Sequence, residues 1–433
     1  MTQTYQQQFI EACTYREFNT VKQLYLDHSD EINISANNEG AFRTSCLEGH
    51  FEIAKWLVEL RKEEGHPIDI HVQNEKAFRL SCMNGHFEIA KWLIQLGKEE
   101  GNPIDIHAND EWAFRFSCFG GHFEIAKWLL QLGKEEGQPI DIHAQNEYAF
   151  HWSCVNGHFE IAKWLIQFGK DKGHLINIYA NDVKTFQSSC RNGHFEIAKW
   201  LIQLGKEEGR PFDIHTGNEF AFRFSCFGGH LEIAKWLVQL GKEEGHPIDI
   251  HADDEYAFRL SCVNGYLNVA KWLIQLGKDG DPINIHARDE EAFRWNCVNG
   301  RLEIAKWIIQ LGKEEGHPID IHADDEYAFQ MSCSRGHFEI VKWLVQIGKK
   351  GKAIDIHDRD ENAFRWSCEG GHFEISKWLI RMGDVIPEDY VSQYRPYQQN
   401  HIKKYYKNHK VYLKPFNKHK LENVWNHCSR VDI

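Results

Sequence analysis

A repeat of 36 residues is the feature that most limits what this chain can fold into. Ala-Lys-Trp or a close variant recurs with Trp at positions 56, 92, 128, 164, 200, 236, 272, 307, 343 and 378. Two of the spacings are 35 residues, and both omissions fall in polar segments, at 278–281 and 349–352. Chains with a fixed period of about 20 to 50 residues form arrays of stacked supersecondary units. The 433 residues therefore indicate one array rather than several separate globular domains.

Each copy of the repeat is predicted to begin with a helix that an Asn or Asp introduces. In the copy from 109 to 144, Asp110 precedes Glu111. An Asx side chain can accept a hydrogen bond from a free N–H of the first turn, and an acid suits the positive end of the helix dipole. The same Asx recurs at Asn38, Asn74, Asn146, Asp182, Asn218, Asp254, Asp289, Asp325 and Asp360. One face of this helix barely changes between copies and is expected to be buried; it consists of Ala113, Phe114, Ser117 and Cys118.

A second helix is predicted after the turn Gly121-His122, since Gly tolerates the left-handed conformation in which helices end. Its apolar stripe is expected to face the core, and Trp128 flanks that stripe, where it can cover the neighbouring repeat. The stripe consists of Ile125, Ala126, Leu129 and Leu132. Pro139 then opens a short extended connector that leads to Ala144 and the next repeat.

Cysteine usage indicates a reducing environment rather than a disulfide framework. Ten of the twelve Cys occupy one position of the repeat, at 46, 82, 118, 154, 190, 226, 262, 297, 333 and 368. Packed helices lie about 8 to 10 Å apart, which exceeds the Cα separation of about 4.4 to 6.8 Å that a disulfide requires. We therefore expect buried free thiols. Because no signal-peptide pattern and no apolar run of about 20 residues is present, we also expect a soluble intracellular protein.

Two helices, a Gly-His turn and a short extended link resemble the ankyrin repeat. The segment from Trp112 to His122, WAFRFSCFGGH, overlays the Thr-Pro-Leu-His-Leu-Ala-Ala-x-x-Gly-His pattern of that family without gaps, although Thr-Pro-Leu-His itself is absent. The resemblance implies an all-α fold, an ankyrin-type α-solenoid of helix-turn-helix repeats with short extended loops. The predicted division is a degenerate N-terminal capping repeat over 1–35, ten ankyrin-like repeats over 36–383, and a C-terminal cap or tail over 384–433.

The sequence of the repeat also resembles that of a narrower group within the family. Motifs such as "NGHFEIAKWLI" and "DIHA" followed by an Asx-Glu pair are similar to motifs of the ankyrin proteins that amoeba-infecting giant DNA viruses encode. This resemblance implies a viral protein that acts on host proteins in the host cytoplasm. Some such proteins carry an accessory domain that recruits a ubiquitin ligase, and no clear signature of one is present here.

The side of the first helix opposite its buried face varies between copies and is rich in aromatic residues. In ankyrin repeats that side lines a concave groove, so the resemblance implies partner binding there. The candidate residues, which we call the aromatic stripe, are Trp112, Phe116, Phe119, Tyr148, Trp152, Phe220, Phe224, Phe227, Tyr256 and Tyr327. Aromatic residues are typical of interface cores. The middle members, such as Phe116, are alternatively interpreted as packing between repeats, whereas outer members such as Trp112 are expected to be exposed at the rim.

The aromatic stripe is predicted to be interrupted in the fifth repeat. There Lys184, Ser188 and Arg191 occupy the three stripe positions, and Val183 replaces the usual Glu. The stripe is therefore expected to divide into two patches, over 112–155 and 220–263.

The net charge of −13 is unevenly distributed. Residues 1–383 contain 41 Lys/Arg against 58 Asp/Glu, whereas residues 384–433 contain 9 against 5. An acidic body repels phosphates, so nucleic acid is not expected on the repeats. The basic, Tyr-rich tail can hold nucleic acid or an anionic membrane by charge and stacking, with candidates Lys403, Lys404, Tyr405, Tyr406, Lys407 and Lys410. The alternative, which we favour, is a cap over the last repeat.

Histidine is abundant, but a metal site is not expected. Two ladders occur, at 50, 86, 122, 158, 194, 230, 337 and 372 and at 71, 107, 143, 215, 251, 286, 322 and 357. Two His ligands of one ion must bring their nitrogens within about 4 Å, whereas equivalent residues of adjacent repeats lie about a helix diameter apart. We interpret these residues as hydrogen-bonded turn His. No Gly-rich phosphate loop, nucleophile elbow or metal-spaced Cys pair occurs, so we predict no enzyme activity, cofactor or small-molecule substrate.

These observations predict a monomeric, non-enzymatic scaffold that binds a protein partner through the groove, and the resemblance to viral proteins implies a partner from the host. The alternative is an adaptor whose basic tail recruits a ubiquitin ligase component or contacts nucleic acid.

Overall fold

The computed structural model describes residues 4–278, 280–382, 386–387 and 413–414. Within these ranges the chain is all-α, with 22 helices and one pair of two-residue strands. The helices are α1 (Tyr5–Thr14), α2 (Phe18–His28), α3 (Ala36–Leu47), α4 (Phe51–Glu63), α5 (Val72–Met83), α6 (Phe87–Glu99), α7 (Ala108–Phe119), α8 (Phe123–Glu135), α9 (Ala144–Val155), α10 (Phe159–Lys172), α11 (Lys184–Arg191), α12 (Phe195–Glu207), α13 (Thr216–Phe227), α14 (Leu231–Glu243), α15 (Ala252–Asn264), α16 (Leu267–Gly277), α17 (Ala287–Val298), α18 (Leu302–Glu314), α19 (Ala323–Ser334), α20 (Phe338–Gly348), α21 (Asp358–Glu369) and α22 (Phe373–Met382). The strands β1 (Ile386–Pro387) and β2 (Leu413–Lys414) are parallel. The predicted all-α solenoid class of helix-turn-helix units is confirmed.

The chain divides into two compact units. One contains residues 1–221 and 235–243, and the other contains residues 222–234 and 244–433. In the first unit the first helices of successive repeats, α3, α5, α7 and α9, pack directly against one another. In the second unit α15, α17, α19 and α21 do the same. The core of each unit is therefore built mainly between neighbouring first helices.

The predicted buried face of the first helix forms this core. Ala113, Phe114, Ser117 and Cys118 are all 0 % exposed. The hydroxyl Oγ of Ser117 lies 2.7 Å from the carbonyl oxygen of Ala113 and 3.3 Å from that of Cys82 in the preceding repeat. The small polar side chain thus ties two repeats together without leaving a buried polar group unsatisfied.

The second helix contributes the predicted stripe, since Ile125, Ala126, Leu129 and Leu132 are all buried. Trp128 is half-buried at its flank and packs against the preceding repeat, as predicted. Its ring centroid lies 6.3 Å from that of Phe78 and 5.3 Å from that of Phe87, both with edge-on geometry. Edge-on aromatic pairs contribute about 0.5 to 1.5 kcal/mol beyond the area they bury.

The turn between the two helices is built as predicted. Gly121 has a φ of 81°, in the left-handed region. A Cβ atom at Gly121 would lie 2.5 Å from Cε1 of His158 in the next repeat, so a larger residue would be excluded sterically as well. Nε2 of His158 donates a hydrogen bond to the carbonyl oxygen of Phe119, at 2.9 Å. Burial lowers the pKa of the equivalent His122, which favours the neutral ring in this setting.

The predicted N-caps of the first helices are wrong. In α7 the residues Asn109, Asp110 and Glu111 have φ values of 58°, 56° and 60°, so each is in the left-handed region and regular helix follows only after them. The side chain of Asp110 accepts a hydrogen bond from Nε2 of Gln145 in the next repeat. The same left-handed conformation occurs at Asn38, Asn74, Asn146, Asp182, Asn218, Asp254, Asp289 and Asp325, whereas the side chain of Asp360 lies outside the described residues. Asx residues tolerate this conformation better than most, which is why the cap and the left-handed turn share one sequence pattern.

Replacing Gln73 with Gly is expected to raise the free energy of unfolding by about 0.5 to 1 kcal/mol. Gln73 is exposed and has a φ of 55°, which is strained for a residue with a Cβ atom. The chain itself carries Gly217 at the equivalent position. Equilibrium urea unfolding checks this prediction, with Gln73→Ala as the control that keeps the Cβ atom. Equal stability of the Gly and Ala variants would contradict it.

The eleven cysteines within the described residues are free and buried. Burial raises the pKa of Cys13 to about 12, and it raises the pKa of the repeat cysteines as well. A thiol with a raised pKa forms little thiolate at neutral pH, so these side chains are small packing residues rather than nucleophiles.

Candidate partner-binding surface

The first patch of the aromatic stripe is a continuous cluster of rings on α7 and α9. Trp112 stacks on Phe116, with centroids 4.1 Å apart. Phe116 in turn lies 5.7 Å from Phe119 and 5.2 Å from Tyr148 of the next repeat. Trp152 completes the cluster, 5.4 Å from Phe119 and 5.9 Å from Tyr148. All five rings are half-buried, so each packs against its neighbours and still presents a surface to solvent.

A buried arginine, Arg115, packs against this patch and contacts the ring of Tyr148. The guanidinium of Arg115, only 7 % exposed, donates from Nε to the carbonyl oxygen of Asp110 at 2.6 Å and from Nη2 to that of Asn109 at 2.9 Å. Its Cζ atom lies 4.9 Å from the ring centroid of Tyr148. One side chain therefore satisfies the carbonyls of the left-handed turn and supports an aromatic ring of the following repeat by a cation–π contact.

The same arginine contact recurs along the chain. Equivalent guanidinium–ring pairs are Arg79 with Trp112 at 4.9 Å, Arg223 with Tyr256 at 4.9 Å, and Arg294 with Tyr327 at 5.3 Å. Burial lowers the pKa of Arg115, but an arginine stays charged at neutral pH. The outer members of the stripe were expected to be exposed at the rim, and they are half-buried. For Trp112, Tyr148, Tyr256 and Tyr327 an arginine of the preceding repeat covers part of the ring.

In the second unit the stripe continues with a smaller cluster. Phe224 lies 5.7 Å from Phe227 and 5.4 Å from Tyr256, and Arg223 pairs with Asp253 at 2.5 Å. Further along, the rings of Trp295 and Tyr327 are 6.1 Å apart. Phe220 belongs to the first unit, where it is half-buried on α13.

The fifth repeat places polar side chains in the stripe. Lys184 and Arg191 are exposed, and Ser188 is half-buried. Helix α11, which carries them, has only 8 residues, because the left-handed turn before it is reduced to Asp182. This repeat also lacks the usual Glu and His, since Val183 and Tyr179 occupy their positions.

In most repeats the Glu that follows the Asx is buried, and its carboxylate links two repeats. Oε1 of Glu147 accepts a hydrogen bond from Nδ1 of His143 at 2.9 Å and from the backbone N–H of Asn177, in the next connector, at 3.0 Å. Glu147 is 6 % exposed. The acid stands in the first turn of the helix, as expected, and its carboxylate also fixes the turn and the connector on either side of it. The second histidine ladder belongs to these pairs, as the interpretation of hydrogen-bonded turn His implied.

Sequence reasoning missed the structural roles of Arg115 and Glu111. Both types recur at fixed positions of most copies, and a charged residue that repeats as regularly as the core Phe was the available signal. That signal is easily overlooked because charged residues are seldom buried unless they are paired.

The tail candidates Lys403, Lys404, Tyr405, Tyr406, Lys407 and Lys410 lie outside the described residues, as does the cap proposed over 384–433 apart from the two strands. Among the residues that the structure describes, no group of three or more His, Cys, Asp or Glu could hold a metal ion. In the same part of the chain, no helix is long and apolar enough to cross a membrane.

Comparison with known proteins identifies the repeat. A family model described as ankyrin repeats (3 copies) matches residues 9–110, 114–210, 186–289 and 293–389. These matches cover well over half of the chain. A search of curated proteins gives no match.

Proposed function

The chain belongs to the ankyrin-repeat family, and we propose that it is a scaffold that binds a protein partner through the aromatic stripe of its first helices. Ankyrin repeats are generally protein–protein interaction modules, and proteins built from them are typically not enzymes. The observation that carries this proposal is the cluster of five half-buried rings from Trp112 to Trp152. Large rings bury much area with few rotatable bonds, and residues of this kind dominate the energy of interfaces.

The arrangement of these rings also supports binding. Arg115 supports Tyr148, and Phe116 lies between Trp112 and Tyr148, so the rings are already held in place without a partner. A surface that needs little ordering on association loses less conformational entropy, which favours affinity. The polar side chains Lys184 and Arg191 then mark a boundary of the patch on the same unit.

Replacing Tyr148 and Trp152 together with Ala is expected to weaken partner binding by about 30-fold or more, because truncating an interface hot spot costs about 2 kcal/mol. Proteins that co-purify with the full chain are identified by mass spectrometry, and the affinity of the most abundant one is then measured. The matched control is Phe87→Leu, which truncates a half-buried ring outside the stripe to the residue found at Leu231 and Leu267. Full retention of every partner by the double variant would overturn the proposal.

We further propose that the partner is a host protein and that this is a viral protein acting in the host cytoplasm as a monomer, in line with the resemblance to proteins of giant DNA viruses. The proposed division keeps 1–35 as an N-terminal cap, 36–383 as ten repeats and 384–433 as a C-terminal segment.

The second candidate function places a separate activity in the tail, where eight Lys/Arg and no acids occur between Arg395 and Lys420. Such a segment would recruit a ubiquitin ligase component or contact nucleic acid. Deleting 384–433 distinguishes the two candidates, since partners held by the stripe are retained and partners held by the tail are lost.

A further inference from the structure

A cleft of about 690 Å³ lies between the second helices α8 and α10 and the connector that joins α8 to α9. It is formed by second helices, so it is distinct from the aromatic stripe of the first helices. Its lining includes Lys127, Lys134, Asp141, Trp164, Phe168 and Lys172. All of these residues belong to the first unit.

The apolar part of the cleft is centred on two aromatic rings. Trp164 and Phe168 lie on successive turns of α10 with centroids 5.9 Å apart, and both are half-buried. Phe168 is specific to this repeat, because the equivalent residues Leu96, Leu132 and Leu204 are leucines. The ring of Phe168 is larger than a leucine side chain and therefore extends the apolar wall of the cleft. Nζ of Lys172 lies 5.6 Å from the centroid of this ring.

A smaller cleft at the equivalent positions of two other repeats allows a direct comparison. The equivalent positions between α4 and α6 form a cleft of about 170 Å³. That smaller cleft has Leu96 in place of Phe168, and Glu59 and Glu100 in place of Gln131 and Lys172. Its two lysines are therefore balanced by two carboxylates, whereas the larger cleft has three lysines and one carboxylate, Asp141.

Two of the three lysines of the larger cleft remain available for a ligand. Lys127 pairs with Glu124 on the same helix. Within the described part of the chain, Lys134 and Lys172 form no ion pair with a carboxylate. The nearby Glu135 accepts a hydrogen bond from Nε2 of Gln131 at 2.6 Å. The cleft thus presents two lysines without a carboxylate partner beside an aromatic wall, on a chain whose net charge is −13.

We propose that this cleft binds a small amphipathic anion, with an apolar ring or alkyl body against Trp164 and Phe168 and a carboxylate, sulfonate or phosphate group at Lys134 and Lys172. Small-molecule sites have volumes of about 300 to 1,000 Å³, mostly apolar linings and a few converging polar groups, and the cleft fits each criterion. A lysine is a compact point charge that suits a carboxylate or phosphate partner. The smaller cleft of the same chain has one aromatic ring, Trp92, instead of two, and it has no excess of cations.

The test titrates the full chain with anilinonaphthalene sulfonate, a fluorescent aromatic anion, and then displaces it with decanoate. The expected result is saturable binding of one equivalent, with the affinity about tenfold weaker in the variant Phe168→Leu with Lys172→Glu. This variant restores residues that the chain carries at Leu96 and Glu100, so folding is expected to be retained and is checked by circular dichroism. Decanol, which lacks the charge, is expected to compete poorly.

Two results would overturn the proposal: the absence of saturable binding to the wild-type chain, and an affinity that the double variant leaves unchanged. The second result would place the probe elsewhere, for example on the aromatic stripe. The reverse variant, Leu96→Phe with Glu100→Lys, gives the smaller cleft the residues that the larger cleft has at Phe168 and Lys172. It is therefore expected to bind the probe more tightly at the smaller cleft than the wild-type chain does.

Discussion

Replacing Phe114 with Ala is expected to lower the free energy of unfolding by about 3 to 5 kcal/mol, because the truncation removes a buried ring and leaves a cavity that packed helices cannot close. Phe114 is 0 % exposed, and the centroid of its ring lies 6.5 Å from that of Trp164 in the next repeat. The side chain therefore stabilises its own repeat and the interface with the following one. Urea unfolding followed by tryptophan fluorescence measures the loss.

The matched control for this prediction is Phe123→Leu. Phe123 is a half-buried phenylalanine of the same repeat, 5.2 Å from Trp164, and the chain already has Leu at the equivalent positions 231, 267 and 302. A loss of less than about 1.5 kcal/mol is expected there, as for other conservative apolar exchanges. Equal losses for the two variants would show that ring contacts with Trp164, rather than complete burial, determine the effect.

The repeat, its two helices and its core face follow from the sequence because they depend on periodicity alone. A residue such as Phe114 recurs every 35 or 36 positions on one helix face, and a stack of equivalent repeats buries all copies of it at once. The Gly121 turn could be predicted for a related reason, since few residues other than Gly adopt a φ of 81° next to a close neighbour.

The start of the first helix could not be predicted from the same reasoning. Asp110 followed by Glu111 is compatible with an N-cap and with a left-handed turn, because Asx residues are favoured in both. The choice between them depends on Arg115, which satisfies the carbonyls of the left-handed residues, and on the burial of Glu111. The first is a side-chain interaction within one repeat, and the second involves the connector that leads to the next repeat. Neither is contained in the local propensity of Asp110 and Glu111.

The candidate surface was predictable in composition but not in detail. The aromatic content of the stripe is visible in the sequence, whereas the support that Arg115 gives Tyr148 requires the spacing between repeats. The cleft beside Trp164 was missed because its distinguishing residues, Phe168 and Lys172, differ from the other copies by single substitutions. Their role becomes visible only when the structure shows that both side chains line the same cleft.

The chain offers an internal comparison for the role of the buried Glu. In the first full repeat Ser35 replaces the paired His, and Asn37, Asn38 and Glu39 still have positive φ values. In the fifth repeat Val183 replaces the Glu, and the turn is reduced to one left-handed residue. The left-handed turn therefore accompanies the carboxylate rather than the histidine.

Replacing Glu147 with Ala is accordingly expected to lower the free energy of unfolding by about 2 to 4 kcal/mol, since it leaves Nδ1 of His143 and the N–H of Asn177 without an acceptor. The control is Glu160→Ala, because the side chain of Glu160 is 72 % exposed and forms an exposed pair with Lys163, so its removal is expected to cost less than about 1 kcal/mol. The double variant His143→Tyr with Glu147→Val, which copies Tyr179 and Val183, is expected to be more stable than Glu147→Val alone, because it also removes the orphaned histidine donor. Urea unfolding of these variants measures each difference, and a loss for Glu147→Ala no larger than that for Glu160→Ala would show that the carboxylate does not hold the turn.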